Sequence, residues 1–209
     1  MTTARDLITT AMDEADRRDV GRGELSLALA GAELVDLLAA DAVTLEDAAI
    51  VPGGGAAFDD PLLEQAAAAV VRREPYESVE DWLWRRGQDL AAAYAAALTE
   101  EGRLTRQRGR SPLGAGRVAV ADSAEHREAR DRWAAHEPVL TALATSAGLR
   151  DKAAEAGDAE GSEEEPPTPP VDPVGVVLAA VDDAVTELEA VRQRRAIEQA
   201  AFDNVWRAP

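Results

Sequence analysis

The chain has 209 residues, no cysteine and a formal net charge of −18. That length holds one helical domain with a real core plus an appendage, and the absence of cysteine excludes a disulfide framework and a Cys-based metal site. The charge argues against nucleic acid, whose phosphates need a basic footprint, and against unaided adsorption to anionic lipid, and it favours basic partners.

The opening "MTTARDLITTAMDEADRR" lacks the basic-then-apolar pattern of a signal peptide, and no run approaches the roughly 20 apolar residues of a membrane span. A cytoplasmic protein, soluble or peripheral to a membrane, is expected. Thr3 is placed to cap a first helix over about residues 4–18, with Leu7, Ile8, Ala11 and Met12 on one face. "VGRGE" ends it. A second helix is expected from about Glu24 to Ala40, where Leu27, Ala30, Gly31, Leu34 and Leu38 fall at helical spacing. "VTLEDAAIV" reads as a small hairpin turning near Glu46-Asp47. "PGGGAAFDD" reads as a connector, because no Gly-Lys-Ser/Thr or helix start follows its glycines directly.

Asp60-Pro61 is a helix start, with an acid at the cap and proline at the first helical position. Ser78 with Asp81 resembles a capping box, and one or two helices follow to Glu101, with Gly102 just past the end. "RLTRQRGRSPLGAGRVAVA" predicts a second hairpin with a basic tip carrying Arg106, Arg108 and Arg110. Ser123 caps a helix carrying Trp133, and Pro138 starts another that ends at Gly148. Residues 151–172 are acidic, small and Pro-rich, the composition of a disordered linker. Asp172-Pro173 then opens a long amphipathic helix marked by Val174, Val177, Val181, Val185 and Leu188, and Phe202, Val205 and Trp206 are expected to anchor its end.

No chemistry-bearing pattern emerges. His126 and His136 lie on either side of a proline break, so they share no helix face as a metal pair would, and they read as surface or capping residues. Asp182, Asp183 and Glu187 read as the solvated face of a helix whose other side is valine. No catalytic residue, metal or cofactor is expected, and the chain does not read as an enzyme. "SVEDWLWRR" places Trp82, Trp84, Arg85 and Arg86 within one short helix. Such a cluster roofs a core, with arginines laid along the rings, or meets lipid headgroups. Packing is the preferred reading.

The order of these elements resembles the Golgi phosphoprotein 3 family. "ARDLITTAMDEADRR" is similar to its opening helix, and "LALAGAELVDLLAADAVTLED" to its Gly-Leu-x-Gly helix and following strand. "DDPLLEQAAAAV", "SVEDWLWRR", "ALTEEGRLTRQRGR…RVAVADSA" and "PVLTALATSAGL" resemble its later helices, turn and hairpin. The resemblance covers about residues 4–150, with "DPVGVVLAAV" similar to its final helices. It implies a mainly α fold: a single helical domain at 1–150 with two small β-hairpins, an acidic Pro-rich linker at 151–172, and a C-terminal helix at 173–209 docking on the core.

The resemblance also implies a non-enzymatic peripheral membrane adaptor. The family's eukaryotic members bind phosphatidylinositol 4-phosphate and the cytosolic tails of glycosyltransferases. They use a tryptophan in the loop before the second helix, an arginine within that helix, and two basic residues in the helix before the second hairpin. Those positions fall near Gly21, at Ala30, and near Gln88 and Ala91. With no cations there, the implied headgroup site is degenerate, and Arg22, Arg85, Arg86 and Trp82 are the nearby candidates for anionic phospholipid. The alternative is a soluble acidic interaction module that binds basic protein tails.

Overall fold

The computed structural model describes residues 2–15, 20–107, 117–149 and 172–207. Among them are eight helices and two antiparallel two-stranded hairpins, matching the mainly α architecture expected. The acidic linker and the tip of the second hairpin, with Arg108 and Arg110, lie outside the described residues.

Helix α1 is Thr3–Glu14. Its cap is Thr2 rather than Thr3: the Thr2 hydroxyl accepts from the Arg5 amide at 3.3 Å. The amides of Thr3 and Ala4 are taken by the Asp36 carboxylate, at 3.0 and 3.2 Å. Helix α2, Arg22–Ala39, is the axis of the molecule. Leu29, Leu34 and Leu37 are fully buried, and α1 and other helices pack around it. A helix that is apolar on nearly every side has to be wrapped by others.

Strands β1 (Val43–Glu46) and β2 (Ala49–Pro52) form the first hairpin, with Leu45 opposite Ile50. Its Ile50 amide donates to the Glu77 carbonyl at 2.8 Å, which ties it to the start of α4. Helix α3 is Pro61–Ala69, shorter than the apolar run suggests. Asp60 caps it as expected, accepting from the Leu62 amide at 2.9 Å. Helices α4 (Val79–Arg86) and α5 (Leu90–Glu100) are separate. Ser78 Oγ accepts from the Asp81 amide at 3.0 Å and donates to its carboxylate at 2.8 Å, so Ser78 caps α4 while the Asp81 carboxylate takes the hydroxyl rather than the Ser78 amide of a full capping box.

The second hairpin is β3 (Leu104–Gln107) with β4 (Arg117–Val120). Helix α6 is Ala124–Ala134, capped by Ser123, and α7 is Pro138–Ser146, so the chain does divide before Pro138.

The C-terminal helix α8, Pro173–Arg207, packs along α2 and also meets α4 and α7. Its Val177, Val181 and Val185 are buried. The approach needs Gly31: a Cβ there would lie 2.4 Å from Val181 Cγ2, closer than packed atoms sit. Of the residues expected to anchor its end, Phe202 is 58 % exposed, and the side chains of Val205 and Trp206 lie outside those described.

Candidate functional site

The tryptophan–arginine cluster belongs to the core. α4 follows a cap that aims Val79, Trp82 and Leu83 inward, and all three are buried. Trp82 is 0 % exposed, and its indole N–H donates to the Ala30 carbonyl at 3.1 Å. A buried indole needs such an acceptor, and here a helix carbonyl supplies it. The Arg85 guanidinium lies 5.3 Å over the Trp82 ring, holds both carboxylate oxygens of Glu77 at 2.6 Å, and reaches the Ala69 carbonyl at 3.2 Å.

Arg86 is committed more deeply. It forks onto Glu33 at 2.7 and 2.8 Å, and donates to the Leu62 carbonyl at 3.1 Å. Glu33 is fully buried and also accepts from the Tyr94 hydroxyl at 3.1 Å. Burial pushes the Glu33 carboxyl up, and Arg86 and Tyr94 pull it back. Burial beside Glu33 also pushes the Tyr94 hydroxyl well above its ordinary value. Neither Trp82 nor Arg86 therefore faces a ligand. Of the proposed lipid-contacting residues, these two are corrected to structural ones.

A second charged cluster ties α1 to the start of α3 and the end of α5. Arg5 pairs with Asp60 at 2.6 Å and with Glu101 at 2.7 Å. Burial pushes Asp60 up, but Arg5 and the Leu62 amide more than offset it, leaving the carboxyl below its usual range. Arg5 likewise holds Glu101 low. Asp6 is fully buried against Arg132 of α6, and burial lifts its carboxyl to about 6. His126 is not a surface residue: its side chain is 13 % exposed and Nε2 lies 2.7 Å from Asp13.

The opposite side of α4 faces an open groove of about 250 Å³. Arg22 and Ser26 of α2, Trp84 of α4, Gln88 of the α4–α5 turn, Ala91 of α5 and Leu188 of α8 line it. The Ser26 hydroxyl accepts from the Ala91 amide at 3.1 Å, which fixes the start of α5 against α2. Arg22 and Ala91 also border an adjoining recess of about 440 Å³ between α1, α2 and α5, walled by Met12, Val20 and Leu25. Arg22 is exposed, and no ion pair engages it among the described residues. Gly21 caps α2 without a side-chain bond, and the Glu24 carboxylate of the first turn lies against it.

The structure brings Arg22, Gln88 and Ala91 together and separates them from Arg85 and Arg86, which reach to α3. Ala30 does not join them. It is fully buried under Trp82, so the helix position matched to a family cation points into the core. Arg106 lies in β3 opposite Val118, within the second hairpin.

The buried acids were the residues sequence reasoning missed. A usable signal was present: Glu33 and Asp36 interrupt the apolar run of α2 from Leu27 to Ala39, and carboxylates on a wrapped helix must be paired. Among the described residues no helix is long and apolar enough to cross a membrane. No curated protein matches the chain. The family model for Golgi phosphoprotein 3 (GPP34) matches residues 4–196, and the chain belongs to that family.

Proposed function

We propose that the protein is a non-enzymatic binding module that meets anionic lipid at the groove beside the N-terminus of α2, with little discrimination among phosphorylated headgroups. The observation that carries this reading is the lining of the groove. Gln88 and Ala91, at positions where the family resemblance places cations, border it with Arg22 as its exposed guanidinium. The start of α2 adds the positive end of the helix dipole, which the first-turn acid Glu24, lying against Gly21, opposes in part. Asp89, also on the lining, subtracts from that field. One arginine near a lipid surface contributes about 1 kcal/mol, and salt screens it.

A second reading, the capture of basic protein tails, is favoured by where the other cations are. Arg5, Arg85, Arg86, Arg103, Arg132 and Arg192 are all engaged by carboxylates of the same chain. What faces outward in a chain of net charge −18 is therefore dominated by acid.

Vesicle flotation separates the two readings. The lipid reading expects the protein to float with phosphatidylserine-containing vesicles at low salt, to be largely released at physiological salt, and to ignore neutral phosphatidylcholine. Failure to float at low salt, together with retention by an immobilised Arg-rich peptide, would replace it with the second reading.

A further inference from the structure

Helix α8 changes character along its length. Within the body its inward stripe is Val177, Val181, Val185 and then Leu188, which lines the groove. Spacings of three and four continue that stripe through Arg192, Arg195, Gln199 and Phe202. Arg192 is ion-paired with Glu24, in the first turn of α2. At Gly23, an added Cβ would lie 2.7 Å from Leu188 Cδ2 and 2.8 Å from Arg192 Nη2, so α8 is pressed against α2 there. From Arg192 to Gln199 every residue is exposed.

The segment that leaves the body is the reverse of the rest of the chain in charge. Residues 192–197 carry Arg192, Arg194 and Arg195 and no acid, in a chain of net charge −18. Arg194 and Arg195 have no ion pair among the described residues, and Glu198 is the first acid beyond them. The large apolar side chains exposed among the described residues are also here: Ile197 at 69 % and Phe202 at 58 %.

We propose that this overhang of α8 is a membrane-contact element, lying on an anionic lipid surface beside the groove. Arg194 and Arg195 meet lipid phosphates, and Ile197, one turn after Arg194 on the same face, enters the headgroup layer. The occupant follows from charge: two exposed arginines without an ion pair among the described residues, beside an exposed isoleucine, suit anionic lipid, whereas they repel a basic tail. The Arg192–Glu24 pair fixes where the overhang starts, so that Arg195 follows Leu188 on the groove side. The proposal rests on the lipid-binding reading above and adds a second contact to it.

The test uses the full chain. Because the protein has no cysteine, Ala196→Cys gives a single thiol for an environment-sensitive fluorophore. Its emission should shift to the blue with phosphatidylserine vesicles and stay unchanged with phosphatidylcholine alone. The double substitution Arg194→Gln, Arg195→Gln should weaken vesicle partition by roughly fivefold per arginine. Ile197→Ser should weaken it further, with melting temperature unchanged in both variants. If the parent floats and Arg22→Glu abolishes flotation, while the label stays in water and the double variant floats like the parent, this inference is wrong and the groove reading stands. If the parent floats on no anionic vesicle at low salt, the groove reading fails and takes this one with it. A concentration-dependent shift without vesicles, with a dimer mass by light scattering, would also overturn the proposal and assign the overhang to a second copy of the chain.

Discussion

Arg86 and Arg22 stand on the two sides of the α2–α4 contact. Arg86 has a side chain 16 % exposed, and its guanidinium is closed by Glu33 and the Leu62 carbonyl. Arg22 is exposed at the rim of the groove and has no ion partner among the described residues. The same side chain is part of the fold in one place and exposed to solvent in the other. The difference lies in burial and in the carboxylate opposite. A buried pair contributes little net stability, yet losing one member strands the other charge in low dielectric.

The largest effects should come from the buried side. Arg86→Ala strands Glu33 and should cost about 3–5 kcal/mol in urea unfolding, whereas Arg86→Met with Glu33→Leu should recover much of that. Trp82→Ala removes a fully buried ring and orphans no carboxylate, and it should cost a similar ~3–5 kcal/mol. If either single variant unfolds like the parent but loses vesicle binding, the boundary between the two regions is drawn in the wrong place.

The Asp6 carboxyl sharpens the comparison through pH. Burial raises it to about 6, while Arg132 pulls the other way. A raised carboxyl contributes stability that is fully present below its unfolded pKa and is lost as pH rises through the folded value. Asp6→Asn does not titrate, so its stability relative to the parent should improve by about 2–3 kcal/mol between pH 4 and pH 7. A difference that is flat across this range would mean that Arg132 fully compensates the burial.

Gly31→Val places a branched side chain against Val181 and should cost about 1–3 kcal/mol through overpacking, loosening α8 from α2. The smallest stability effect belongs to the exposed side. Arg22→Ala should change unfolding by no more than about 0.5 kcal/mol while weakening vesicle binding. A large loss of stability there would give Arg22 a structural role after all.

Much of the fold was legible in the chain because caps and periodicity are local. Asp60-Pro61, Ser78 with Asp81, and Ser123 each start the helix they announce. The hairpins follow from short β-rich runs between helices. The exact N-cap of α1 was not legible, because the choice between Thr2 and Thr3 depends on Asp36, which arrives from α2. The site was only partly legible. Arg22, Arg85 and Arg86 look alike in sequence, and what tells them apart is long-range: Glu77 and Glu33 face two of them across other elements. Ala30 fell at a family position yet lies under an indole, because a helical match fixes a residue's place along an axis but not the element that covers it. His126 finds Asp13 only once α6 lies on α1.

The central claim is that the groove retains the family's location for a ligand without the cations for a specific phosphate. It is tested most directly by competition between two sets of vesicles with matched surface charge, one containing phosphatidylinositol 4-phosphate and the other phosphatidylserine. The account predicts equal partition of the protein between them at low salt, and little binding to either at physiological salt. Preferential, salt-resistant partition onto the 4-phosphate vesicles would contradict it.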